Sequence, residues 1–161
     1  AWHDPHAADQ VFTSGFELTM LGLDVTQRTS LPLALFERLA GQHRHPATDT
    51  LLHAARFHAG YHARLEPELA DGQTCQAPDV LALMYLLRPE LFSTEMGRVR
   101  VATEGVAEGQ TIMDRREHVP YPQPGWEERI PRIRVGLQVD APACLALFEA
   151  TLMGNWLPAA A

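Results

Sequence analysis

The chain contains no lysine. All thirteen of its basic residues are arginine, against twenty acidic ones, which gives a formal charge of −7. Nucleic-acid binding rests on clustered cations that neutralise phosphates, so this balance argues against nucleic acid as the main partner. Only Arg115 and Arg116 are adjacent; the other arginines are scattered, and no basic patch is expected. Cysteine is also scarce. Cys75 and Cys144 make neither a disulfide framework nor a zinc-ligand pattern, and a reducing, cytoplasmic setting is the default. No apolar run reaches the length of a membrane span, and Ala1-Trp2-His3-Asp4 has nothing of a signal peptide. Internal repeats are missing too. The pattern opens without an initiator Met, as expected of a trimmed chain or a fragment.

What is present suits a folded protein. At 161 residues, 46% hydrophobic and 20% charged, the chain is the size of one ordinary domain with a globular composition, which excludes disorder as its general state. Asp4-Pro5 predicts a helix start, with an apolar stripe of Ala7, Ala8, Val11 and Phe12 and a stop at Gly15. Phe16 to Leu23 reads as a short buried strand. Helix, glycine stop and strand in this order favour an α/β fold with parallel strands.

Leu31 to Leu39 predicts a short helix with Pro32 in its first turn. A longer helix starts at Thr48 or Asp49 and runs to about Leu65, with a stripe of Leu51, Ala54, Ala55, Phe57 or His58, and Tyr61. Glu66 to Ala77 reads as a loop. Pro78 then opens a helix whose run from Val80 to Leu87 is apolar on all sides, which predicts burial on every face. Pro89 stops it. Val99, Val101 and Thr103 alternate with polar residues, as do Ile133, Val135, Leu137 and Val139, the mark of strands with one wet face. Gln110 to Arg115 is a third strand, His118 to Pro131 a long loop, and Asp140 caps a last helix with Leu145, Phe148 and Leu152 on one face. No domain boundary stands out.

Several residues could carry chemistry. Asp79 falls in the first turn of a helix, where the helix dipole favours negative charge; taken alone it is an ordinary helix-start carboxylate. Phe57 and Tyr61 lie four apart, a spacing that serves core packing as well as a binding face. His58 and His62 share that spacing. A zinc site would need a third ligand and fixed geometry, so a solvated helix face is the simpler reading. The remaining histidines do not converge, which leaves a His-rich metal-binding domain little support.

Read in order, Trp2-His3-Asp4-Pro5-His6-Ala7-Ala8, Met20-Leu21-Gly22-Leu23-Asp24-Val25-Thr26, Pro78-Asp79-Val80-Leu81-Ala82 and Tyr85-Leu86-Leu87-Arg88-Pro89-Glu90-Leu91-Phe92 form a series. Thr103-Glu104-Gly105, Gly109-Gln110-Thr111, Asp114-Arg115-Arg116 and Val135-Gly136-Leu137-Gln138-Val139-Asp140 continue it. Together they resemble the inosine-uridine-preferring nucleoside hydrolase family over nearly the whole chain. The resemblance implies that residues 1–161 are the C-terminal portion of a single nucleoside hydrolase domain. Its fold would be α/β, a Rossmann-like fold of mixed strands and packed helices. The N-terminal half of the family, with its Asp-rich calcium cluster and a Glu-Phe-Asn ribose segment, has no counterpart here.

The implied activity is calcium-assisted hydrolysis of the N-glycosidic bond of purine or pyrimidine nucleosides through an oxocarbenium-like transition state. Asp79 matches a calcium-ligating Asp of the family, and calcium prefers such hard oxygen donors. Phe57 and Tyr61 match aromatics near the base pocket. Pro78 stands where many members have a His that protonates the departing base, and proline has no proton to give. No catalytic residue is therefore assigned. The expected partners are a nucleoside, the missing N-terminal half and further copies of the chain; neither nucleic acid nor membrane is among them. The chain by itself is expected to be inactive. The alternative is a non-catalytic remnant or binding module of the same fold.

Overall fold

The computed structural model describes residues 1–43, 45–65, 72–118, 125–127 and 129–154. In chain order its elements are α1 (Pro5–Thr13), β1 (Thr19–Met20), α2 (Leu23–Thr26), β2 (Ser30–Pro32), α3 (Leu33–Gln42), α4 (Pro46–Leu65), β3 (Thr74–Gln76) and α5 (Pro78–Leu87). They continue with β4 (Phe92–Val101), β5 (Thr111–Asp114), β6 (Arg132–Val139) and α6 (Ala141–Leu152). These elements make two compact units. The first comprises Ala1–Gly22 and Ser93–Gln138, the second Leu23–Phe92 and Val139–Ala161.

The first unit is built on a four-stranded sheet in the order β1-β6-β4-β5. β1 runs parallel to β6, with Thr19 opposite Arg134, and β4 runs antiparallel to β5, with Val99 opposite Met113. The sheet is therefore mixed, as expected. Val99, Ile133 and Val135 form its buried core, and Phe12 of α1, Leu18, Met20, Met113 and Leu137 pack on them. Asp4 caps α1 by accepting the Ala7 N–H at 2.9 Å. The predicted strand from Phe16 to Leu23 shrinks to Thr19–Met20: Phe16 is 70% exposed and Leu23 already belongs to α2. Gly136 explains part of the packing, because a Cβ there would collide with Leu21 Cδ2.

The alternation of β4 and β6 sends Arg98, Arg100, Arg132 and Arg134 to the face opposite the Val99–Ile133–Val135 core. That face is less wet than expected. Arg98 is only 5% exposed, and its guanidinium donates to the carbonyls of Arg116 and Glu117. Arg132 donates to Met96 O, while Arg100 binds both carboxylate oxygens of Asp9 at 2.7 Å. Asp9 also accepts the Val101 N–H, tying α1 to β4. These bonds, chiefly the one from Arg100, hold the Asp9 carboxyl below its ordinary range despite opposition from burial. Of the predicted loop from His118 to Pro131, residues 119–124 and 128 lie outside the described residues; Ile130 is buried.

In the second unit, α3 and α4 pack on each other, and β2 pairs antiparallel with β3, with Leu31 opposite Cys75. Leu31, Phe36, Ala55, Ala59 and Cys75 form the core, covered by Leu33, Leu52, Ala77, Leu145 and Phe148. Two expectations change here. Leu31 belongs to a strand, and the helix starts after Pro32. The predicted loop before Pro78 contains β3; its residues 66–71 lie outside the described residues. α4 starts at Pro46, two residues ahead of Thr48, whose buried hydroxyl donates to the carbonyls of His43 and His45. Asp140 caps α6 through the Ala143 N–H at 3.0 Å. Both cysteines are free and buried.

Candidate functional site

Every site residue named from the sequence falls in the second unit. Ala77, packed on the core, is the N-cap of α5, Pro78 is its first residue, and Asp79 follows in the first turn. No side-chain hydrogen bond caps this helix, and Asp79 lies in the first turn, where the dipole favours negative charge. The carboxylate of Asp79 is exposed.

Of the expected apolar stripe of α4 only Ala55 reaches the core, while Leu51, Ala54, Phe57 and Tyr61 are exposed. Thr48, Ala55 and Ala59 are the buried residues, with Leu52 packed beside them. Phe57 is 71% exposed, Tyr61 is 46% exposed, and Leu65 is exposed as well. The small residues at 55 and 59 let α4 lie close to its neighbours, leaving the larger aromatics on the far side. There Phe57 and Tyr61 form a near-parallel pair, centroids 6.4 Å apart and planes 17° apart. Offset aromatic faces of this kind accept another flat ring by stacking. His58 and His62, half-buried, sit beside them with centroids 4.4 Å apart. Burial, and then the neighbouring His62, push the His58 imidazole below its ordinary range.

α5 departs furthest from its expected environment. Only Leu81 and Met84 are buried; Leu83, Leu86 and Leu87 are exposed, Leu86 to 76%. Exposed apolar residues on a helix of this kind are a feature that often marks interaction surfaces.

Among the described residues no three His, Cys, Asp or Glu side chains converge on a point where a metal could sit. Calcium takes six to eight oxygens. Asp79 supplies at most two, so the described residues of this chain do not by themselves fit a calcium ion.

The family described as inosine-uridine preferring nucleoside hydrolase matches residues 1–146, running through both units. The chain belongs to this family. Uridine nucleosidase 1 of Arabidopsis thaliana is 31% identical over 157 residues, a match that covers 93% of this chain and 43% of the relative. A pyrimidine-specific ribonucleoside hydrolase of Klebsiella pneumoniae is 38% identical over 112 residues, covering 69% of this chain and 35% of that protein. Among solved structures, the purine-preferring ribonucleoside hydrolase from Gardnerella vaginalis superposes with a TM-score of 0.73 at 29% identity, over 94% of this chain and 44% of that one. A plant nucleoside hydrolase gives 0.82 at 24% identity over 96% of this chain and 46% of that one, a likeness of fold. This nucleoside hydrolase chain thus spans less than half the length of the relatives it matches.

Sequence reasoning placed Phe57 and Tyr61 on one face of α4 but missed which face. The signal was present: the run Thr48, Leu52, Ala55, Ala59 has helical spacing too, and its small residues suit close packing. The approach of His58 to His62 follows from the four-residue interval, whereas their half-burial does not.

Proposed function

We propose that residues 1–161 are the C-terminal portion of one nucleoside hydrolase domain. The complete enzyme cleaves the N-glycosidic bond of purine or pyrimidine nucleosides, with calcium, in nucleoside salvage in the cytoplasm. The chain alone is inactive. The observation that carries this reading is the exposure, within the second unit, of Asp79, of the Phe57–Tyr61 pair and of Leu83, Leu86 and Leu87 on α5. Asp79 is read as one oxygen donor to a calcium ion whose remaining donors belong to the N-terminal half. Phe57 and Tyr61 are read as the surface on which the nucleobase stacks. Pro78 offers no proton, so activation of the leaving base falls to other groups.

Two features favour a second reading, a binding module without catalysis: Pro78 in place of an acid, and a single carboxylate where calcium needs several donors. One experiment separates them. The chain is assayed for inosine and uridine hydrolysis alone and after co-expression with the N-terminal half of the Arabidopsis relative. No turnover alone and turnover in the pair supports the hydrolase reading. In the active pair, Asp79→Asn should cut kcat/KM by about a hundredfold or more, as loss of a metal ligand does. Turnover by the chain alone, or a pair indifferent to Asp79→Asn, refutes it. Nucleoside binding without turnover establishes the module.

A further inference from the structure

The geometry points to a two-imidazole chelate for a borderline divalent transition ion, of the nickel, copper and zinc group, at His58 and His62 of α4. This site is independent of the proposed hydrolase activity and distinct in chemistry from any calcium site. Calcium selects hard oxygens, whereas imidazole nitrogen suits the later first-row ions.

Three observations carry it. The first is spacing: residues four apart on a helix lie one above the other, so two side chains can reach one point without disturbing the backbone. The second is the approach of the two rings. The ring centroids are 4.4 Å apart. Metal–nitrogen bonds of about 2.0–2.1 Å would place two imidazoles that meet one ion at a right angle with centroids about 4.5 Å apart. The two rings stand at about that separation with their planes tilted by 45°, and a right angle is the geometry of tetragonal copper and nickel. The third is an unsatisfied atom. His58 Nδ1 is buried and has no hydrogen-bond partner. Buried polar atoms are paired in the great majority of cases, and an ion is one of the ordinary reasons for an exception.

The surroundings agree. Tyr61 packs edge-on against His62 at 5.6 Å, which limits the swing of that ring. No third His, Cys, Asp or Glu converges on the pair among the described residues, so water fills the remaining positions. Such a site binds reversibly and leaves room for exchange; it does not hold the fold together.

The test is calorimetric titration of the 161-residue chain with NiCl2 in a His3→Ala background, which keeps the first residues from competing. The expected result is one ion per chain, with melting temperature rising as nickel is added. His58→Ala and His62→Ala should each weaken binding by about tenfold or more, because either turns a chelate into a single contact. Circular dichroism confirms folding, and His58→Gln and His62→Gln serve where alanine disturbs it. His53→Ala, on the same helix, should leave the affinity unchanged. Equal nickel binding by the double variant His58→Gln/His62→Gln, or no one-to-one binding at all, overturns the assignment.

Discussion

Strand β6 and helix α5 are both rich in large aliphatic residues, and they meet opposite surroundings. β6 places Ile133 and Val135 in a closed core, whereas α5 leaves Leu83, Leu86 and Leu87 in solvent. The sheet of the first unit completes itself with its own helix and flanking residues. Two helices of the second unit bury little of their surface: Leu81 and Met84 on α5, and Thr48, Ala55 and Ala59 on α4. Apolar content thus says that a surface will be covered without saying by which polypeptide. In this chain the strands of the sheet are covered from within, and the outer sides of α4 and α5 are exposed.

The contrast can be broken by substitution. Ile133→Ala should cost the most, about 3 kcal/mol in chemical denaturation, since it empties a site with no exposed wall. Leu86→Ala in the same assay should change stability by about 0.5 kcal/mol or less, because its side chain is already in water. Equal costs would show that α5 is covered within its own chain, and the distinction would fail.

Next comes Asp9→Asn, expected to destabilise the first unit by about 2 kcal/mol by weakening the bonds from Arg100 and depriving that guanidinium of its carboxylate partner. Because folding depresses the Asp9 pKa, its stabilising contribution is complete above the ordinary value of about 3.9 and disappears as pH falls through the lower folded value. Acid unfolding of the wild type should therefore contain a step that Asp9→Asn lacks. A pH profile identical in the two proteins would remove Asp9 from the account.

The smallest thermodynamic effect should come from Leu83→Gln with Leu86→Gln. Stability stays nearly unchanged, while association seen by light scattering falls as exposed apolar area is removed. A wild-type chain that is strictly monomeric at all concentrations would instead show that this face does not drive self-association.

Much of the architecture was legible in the sequence because it rests on local rules. Asp4 and Asp140 sit where capping residues belong, Pro78 opens a helix, and the alternation around Val99 and Ile133 gives two strands of the sheet. Elements that depend on distant neighbours were not legible. β3 exists because Thr74–Gln76 meets Ser30–Pro32, more than forty positions earlier, and β1 is defined by pairing with β6, more than a hundred positions later. Arg98 read as a wet-face residue since nothing nearby in sequence announces that the Arg116 and Glu117 carbonyls will enclose it. At the candidate site, Asp79 and the Phe57–Tyr61 pair were legible as residue types at a spacing. Their outward direction was not, because a helix with apolar residues on several sides does not declare which side its own chain will bury.

The two units are interleaved along the polypeptide, the chain passing from one to the other after Gly22, after Phe92 and after Gln138. A ribosome therefore delivers α1 and β1 early and then makes them wait. Their core cannot close until Ile133 and Val135 emerge, by which time Leu23–Phe92 of the second unit has been synthesised and α6 has not. Such long-range closure slows folding, and no single cut in the gene would yield either unit whole.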